Sequence, residues 1–321
     1  MWKVESISTY FISIVTLLAS VWCTPLLARE YVLEDKKIII PEYPNAFNPS
    51  IVRWNDELLL SFRISNPAND METFIGLCWL DENFKLNKEK KIQFLKTELF
   101  TRAVLTSAQD ARLLTVDDKL YIVYNDASIT GALLPRRMYV AELNYVDDTF
   151  EIVHAEIMQS YEGASLQRWE KNWVPFDYEG NLLLAYSIAP HKVLYPILGT
   201  SVCETFAFSV STKPWKFGEL RGGTPALICD DEYLSFFHSY DALGSRRYLM
   251  GAYTFSLDPP FELTAMSDIA IPTEGRIAFP GGFLVSKKYI WLVYGMNDER
   301  MRVMKIDRHA FMDTLKPVSA I

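Results

Sequence analysis

Arg63, Asp110, Lys171 and His238 are the side chains of this 321-residue chain whose types could do polar chemistry together. Each borders a short apolar run. Arg63 follows Leu58-Leu59-Leu60-Ser61-Phe62, and Asp110 precedes Ala111-Arg112-Leu113-Leu114. Lys171 precedes Asn172-Trp173-Val174-Pro175-Phe176, and His238 follows Tyr233-Leu234-Ser235-Phe236-Phe237. A pocketed carboxyl gives or takes a proton, and guanidinium and ammonium groups hold and orient an anion. Arg63, at the end of an apolar strand, is costly to bury alone, so it is expected to face a carboxylate or an anion. Taken singly, each has an ordinary explanation: Asp110 as a turn cap, His238 as a strand-end histidine, Lys171 as a solvated loop charge. Chemistry needs a fold that gathers them.

That fold is written in a repeat. Two β-branched or aromatic runs around a short polar turn form a hairpin, and the chain does this five times. The turns are Asn55-Asp56, Asp117-Asp118, Glu179-Gly180-Asn181, Asp230-Asp231 and Lys287-Lys288. The closing aromatics Phe62, Tyr124, Tyr186, Phe237 and Tyr294 are spaced 62, 62, 51 and 57 residues apart. Further strand-like runs, such as Phe74–Trp79, Met138–Leu143 and Arg302–Ile306, fill each period to about four strands, the content of one propeller blade. The sequence therefore predicts an all-β, five-bladed β-propeller occupying residues 29–321 as one domain. Residues 29–40 are expected to pair into the last blade, and Arg308–Met312 to form a short terminal helix.

In a propeller the first strand of each blade lines the channel and the second runs antiparallel to it. The start of the first and the end of the second therefore share a face. Those positions hold Asn48 with Arg63; Asp110 and Arg112 with Asn125-Asp126; and Lys171-Asn172 with Ser187 and His191. They continue with Arg221 and Thr224 beside His238 and Tyr240, and with Pro280-Gly281 beside Asn297-Asp298. Polar groups rimmed by Trp169, Trp173 and Phe279 suit a sugar, whose hydroxyls need paired partners and whose faces stack on aromatics. Arg136-Arg137 and Arg246-Arg247 are expected to be solvated or blade-edge charges.

With 32 basic and 40 acidic side chains and no long Lys/Arg block, the chain is a poor nucleic-acid binder. The four cysteines lack metal-ligand spacing, so no metal and no cofactor is expected. Residues Ser6 to Ala28 carry no charge, and Tyr10 to Trp22 is strongly apolar. Residues 1–28 therefore read as a secretory signal and the protein as secreted or periplasmic; the competing reading is a membrane anchor through residues 6–28.

In this order the hairpins resemble the five-bladed propellers of glycoside hydrolase family 130, the mannoside phosphorylases and β-1,2-mannosidases. The likeness runs from about residue 45 to 307. It is carried by Phe47-Asn48-Pro49 with Leu60-Ser61-Phe62-Arg63, by Gln109-Asp110-Ala111-Arg112 in the place of a Glu-Asp-Pro-Arg motif, and by Lys171–Phe176. Gly222-Gly223-Thr224-Pro225, Phe236-Phe237-His238 and Phe279–Gly282 with Val293-Tyr294-Gly295 complete it. Gln109 and Ala111 depart from the usual acidic residue and proline. The resemblance implies an inverting enzyme acting on a β-linked hexoside, a mannoside, with Asp110 as general acid. Asn48, Arg63, Arg112, Lys171, Asn172, His238 and Tyr240 would bind the oligosaccharide or phosphate. An inverting hydrolase needs a second carboxylate to activate water, with Asp126 or Asp298 as candidates. A phosphorylase instead needs a cationic nest for inorganic phosphate as co-substrate, and Arg63, Lys171 and His238 supply the residue types. Two other readings stay open: a glycan-binding propeller without turnover, and a mannosyltransferase related to the phosphorylases.

Overall fold

The computed structural model describes residues 30–97, 106–127, 136–165 and 169–321. The signal or anchor expected over residues 1–28 lies outside the described residues. Five antiparallel sheets form a ring, as the repeat predicts. Blade I is Phe47–Trp54, Glu57–Asn66, Asn69–Leu80 and Gln93–Phe94. Blade II is Gln109–Val116, Lys119–Ala127, Arg136–Val146 and Thr149–Ile157; blade III is Val174–Tyr178, Asn181–Ser187, His191–Ile197 and Val202–Ser209.

Blade IV has an inner strand in two pieces, Arg221–Gly222 and Leu227–Cys229, both on Glu232–Tyr240, followed by Tyr248–Ser256 and Leu263–Met266. The break falls at Gly223-Thr224-Pro225, where a proline cannot donate to the ladder. Blade V is Ala278–Val285, Tyr289–Met296 and Arg300–Asp307, and its outer strand is Val32–Ile38 from the start of the domain. The ring closes there, as expected. Asp35 ties the closure, accepting from Tyr294 Oη at 2.8 Å and from Arg302 Nε at 2.9 Å. The helix Arg308–Met312 follows, its start capped by Asp307, which accepts from the Ala310 amide at 3.1 Å.

Turn chemistry fixes the strand register. Asn55 and Asp56 (φ 49° and 63°), Asp117 and Asp118 (48° and 60°), and Glu179 and Gly180 (51° and 75°) form two-residue loops. Positive φ at both positions is the type I′ turn, whose twist matches that of the flanking strands. The apolar faces pack as five clusters, one in each wedge between neighbouring blades, rather than as one central core. Leu59 and Leu77 of blade I meet Leu113 and Ile122 of blade II, and Ile51 and Leu60 meet Val293 and Val303 of blade V. Cys78, Cys203 and Cys229 are buried and unpaired. The hub is thus left to the inner strands, and the side chains at their ends face the channel mouth.

Candidate active site

The backbone itself aims the central residues. The inner strand of blade I is bulged between Phe47 and Ser50, and that of blade II between Gln109 and Arg112. Within these bulges Asn48 (φ 47°) and Asp110 (φ 54°) adopt the left-handed conformation, and Asn172 (φ 64°) does so just before blade III. Asn and Asp tolerate that region better than other non-glycine residues. Three successive blades thus present a short polar side chain from left-handed backbone. The neighbours leave room only for glycine: a Cβ on Gly281 would lie 2.0 Å from the Pro49 carbonyl oxygen, and one on Gly295 would lie 2.1 Å from Asn48 Oδ1.

Around Asp110 the side chains converge. Asn48 Nδ2 donates to Asp110 Oδ1 at 2.9 Å, and Arg63 Nη1 lies 3.5 Å from the same oxygen. The Arg63 guanidinium also sits 4.8 Å from the centre of the Phe47 ring. Arg112 is fully buried. It donates to the carbonyls of Asp110 (2.6 Å), Gly223 (2.6 Å) and Gly222 (3.4 Å) and to Asn172 Oδ1 (3.2 Å). A buried guanidinium with its donors so engaged ties blades II, III and IV together. Arg112, expected to touch ligand, instead positions Asp110 and Asn172.

Lys171 and Asn172 line a cavity of ≈ 400 Å³ with Trp169, Tyr186, Arg221 and Gly222. Lys171 Nζ sits 5.3 Å from the ring centre of Trp169, which is 56% exposed and forms the rim as expected. Trp173, expected beside it, lines the same cavity but is almost wholly buried between blades II and III, edge-on to Tyr161. Phe279, expected at the rim, is instead buried, 5.6 Å from the Arg112 guanidinium and 4.8 Å from the His238 ring. His238 is buried opposite Arg221 in the ladder, and its Nδ1 has no partner among the described residues. Tyr240 lies two residues on, its ring tilted against that of Tyr248 at 5.0 Å, and the Tyr248 ring is 6.2 Å from His238. It belongs to the outer rim, not to the cluster around Asp110.

Two further expectations are corrected. His191 does not face the channel: it is buried against Phe255, with Nδ1 2.7 Å from the Phe261 carbonyl oxygen, which fixes the proton on Nδ1. Arg136 and Arg137 are buried, not solvated. Arg136 donates to the Ser107 carbonyl (2.7 Å) and to Asn125 Oδ1 (3.1 Å), behind Asp110. A basic pair opening the run Met138–Ala141 was the available signal. What hid it is that its partners, Ser107 and Gln109, lie on another strand and in a loop.

The charges shape one another. Burial pushes the Asp110 carboxyl up, but Arg63, Arg112, the Asn48 amide and Lys171 together hold it below the ordinary aspartate value. Burial lowers Lys171 to about 8, opposed by Asp110 and reinforced by Arg136, Arg63 and Arg221. Burial, then Arg112 and Arg221, bring His238 to about 3, so it is a neutral imidazole. Asp126 is raised by burial to about 6, and its Oδ1 accepts from the Ser107 (2.9 Å) and Ala127 (2.6 Å) amides. It holds a loop and does not reach the channel. Asp298, at the exposed rim, is raised first by desolvation and then by Asp110, against the pull of Arg63. A second hollow, ≈ 690 Å³, opens among the opposite ends of the inner strands. Ile51, Leu113, Leu227, Phe283 and Trp291 line it, and it contains none of the polar cluster.

No family model and no curated protein matches the chain in sequence. Solved structures do match in fold. A glycosyl hydrolase from Bacteroides ovatus superposes with a TM-score of 0.63 at 13% identity, covering 91% of this chain and 92% of that one. A β-1,2-mannobiose phosphorylase from Listeria innocua gives 0.56 at 14% identity, covering 87% and 92%. A GDP-Man-dependent mannosyltransferase from Leishmania mexicana gives 0.55 at 10% identity, covering 87% and 91%. The chain therefore shares the five-bladed propeller of mannoside phosphorylases and glycoside hydrolases, as a divergent example of that fold.

Proposed function

We propose that this protein is a carbohydrate-active enzyme that cleaves or forms a β-linked hexoside, a mannoside, by inversion at the Asp110 mouth. The observation that carries the reading is Asp110 held by Asn48 and Arg63 at the meeting point of the inner strands, within the field of Lys171. Structures of this fold whose names specify mannosides support the choice of sugar. Asn48 and Asn172 supply hydroxyl partners, Trp169 a stacking face, and Arg63 and Lys171 the cations for a phosphate group.

The ionised state of Asp110 decides which direction the resting enzyme is ready for. A general acid must carry a proton, and the surrounding cations remove it. An arriving phosphate dianion would offset Arg63 and Lys171, raise the Asp110 pKa and so load the acid for phosphorolysis. In the reverse direction the ionised carboxylate is already the base. It takes the acceptor hydroxyl proton while the acceptor oxygen bonds to C1 and the C1–O bond to phosphate breaks. This favours, as the second reading, a transferase using a sugar phosphate or nucleotide-sugar donor. Hydrolysis fits less well: Asp126 is committed to backbone amides, which leaves Asp298 as the carboxylate at the mouth.

Product analysis on a panel of β-mannosides tests this, with and without phosphate and with mannose 1-phosphate or GDP-mannose as donors. Asp110→Asn is expected to lower turnover by about 10²–10⁴-fold while the fold melts as before. Full activity in that variant would overturn the assignment. Glycan binding with no product under any donor would make the propeller a binding module.

A further inference from the structure

The hollow of ≈ 690 Å³ at the far ends of the inner strands is built on different chemistry from the Asp110 mouth. Its volume falls within the range of about 300–1,000 Å³ in which pockets bury a bound group. Leu227, Leu284, Val285 and Trp291 line it only half-buried, and Ile228 stands at its lip, 56% exposed. A contiguous apolar recess left open to water gains free energy when something covers it. The buried Arg112, bonded to the Gly222 and Gly223 carbonyls, packs the hub between this hollow and the Asp110 mouth.

The rim is polarised. On the side of blades II and III, Asp177 and Glu179 line the hollow. Asp117 joins them, since a Cβ on Gly180 would lie 3.8 Å from its own. Burial raises the Asp177 carboxyl, the Gly180 amide opposes that at 2.9 Å, and Asp117 adds to it. Among the described residues none of Asp117, Asp118, Asp177 and Glu179 has an ion-pair partner. Lys119 lies 3.5 Å from Glu142 instead, and Arg53 is forked onto Glu82 at 2.8 and 2.9 Å. Across the ring, blade V turns at Lys287-Lys288, with the Lys288 ammonium 5.2 Å from the Tyr289 ring centre.

We propose that this hollow is a docking site for a protruding peptide segment of a partner protein. Large apolar side chains of that segment enter the hub, and a Lys or Arg beside them meets the carboxylates of Asp117, Asp177 and Glu179. A second copy of this chain would set one recess against another and leave both unfilled. An anionic lipid surface would be repelled by the acidic side of the rim. The site goes beyond the enzymatic reading and does not depend on it.

Fluorescence anisotropy of a labelled Gly-Lys-Leu-Trp-Leu-Lys-Gly peptide on the full chain tests the proposal. Two companions are measured, one with both Lys changed to Glu and one with Leu and Trp changed to Ser. The lysine peptide should bind saturably, the glutamate peptide at least about tenfold more weakly, with the gap closing as salt is raised. The serine peptide should not bind. Ile228→Lys should abolish binding, and Glu179→Lys should weaken it about fivefold at low salt. Both replace exposed side chains, so melting and any turnover at the Asp110 mouth should stay as they are. Equal binding of the lysine and glutamate peptides, no saturable binding of either, or binding untouched by Ile228→Lys would overturn the proposal. A dimer in sedimentation velocity that Ile228→Lys disperses would overturn it in favour of a second copy. Cosedimentation with phosphatidylcholine–phosphatidylglycerol vesicles that the same variant loses would overturn it in favour of a membrane. Asp110→Asn should bind the lysine peptide as the wild type does, so peptide binding beside full turnover in that variant would sink the enzymatic reading alone.

Discussion

Lys171 carries its charge on a side chain that the fold has drawn partly out of water, next to three arginines and one carboxylate. Its ammonium loses its proton near pH 8, against an ordinary lysine value of 10.5, so the charge is full below about pH 7 and mostly gone above about pH 9. Burial lowers Arg112 only to about 10, so it stays charged as Lys171 titrates, and His238 is already neutral. Lys171 therefore supplies the alkaline limb of phosphate binding. Affinity for inorganic phosphate should fall as pH rises through about 8, and Lys171→Arg should shift that fall upward beyond the measurable range. Lys171→Met should bind weakly at every pH, with no limb near 8. Titration of binding against pH measures all three, and an unchanged limb in Lys171→Arg would assign the proton elsewhere. The result bears on chemistry because Lys171 also helps keep Asp110 ionised.

The elements position these groups through contacts of backbone on backbone. Blade V's inner strand lies so close to blade I that Gly281 has no space for a side chain toward Pro49, and Gly282 none toward Ile51. Gly281→Ala should therefore push the two strands apart, lowering stability by about 1–3 kcal/mol. Because Asn48 follows Phe47 on the displaced strand, it should also reduce turnover through a lost Asn48–Asp110 contact. Gly163→Ala is the control. Nothing lies within 4 Å of its Cβ, and at φ +83° it should cost only backbone preference, about 1 kcal/mol, and no activity. Thermal melts and rates measure both.

This level explains what the sequence revealed and what it hid. The hairpins were legible because Asn55-Asp56, Asp117-Asp118 and Glu179-Gly180 are turn chemistry that acts locally. Asn48, Arg63 and Asp110 were legible because repeat position alone sends them to one mouth. Arg112 and Arg136 were misread because an arginine's role depends on acceptors from other strands and loops: Gly223 for one, Ser107 for the other. His191 was misplaced for a related reason. A residue one step along a strand switches between channel and wedge, and small register shifts such as that between Ala185 and Ser187 are not visible in composition.

At the scale of the whole molecule, a ring of five wedges has no central core to fall back on, so closure must hold the last blade to the first. That work falls on Val32–Ile38, laid along Arg300–Asp307, with Asp35 accepting from both Tyr294 and Arg302 and with Tyr31 edge-on to Phe311 at 5.1 Å. Ile38 and Ile40 then enter the wedge between blades V and I, beside Val303 and Leu60. Removing residues 1–38 would leave Arg300–Asp307 as a bare sheet edge and strip part of that wedge. Such a chain should melt at least about 10 °C lower, lose cooperativity and aggregate, whereas Asp35→Asn, which keeps the strand, should cost only a few degrees. The site should fail with the ring. Asn48 and Gly281 lie on the two blades that closure holds together, while Asp110 and Lys171 lie on blades the cut does not touch. Inorganic phosphate binding by the truncated chain should therefore weaken in parallel with its loss of structure. A truncated propeller that melts as the full chain does would show that contacts between inner strands suffice to close the ring, and that the outer strand is an accessory to it.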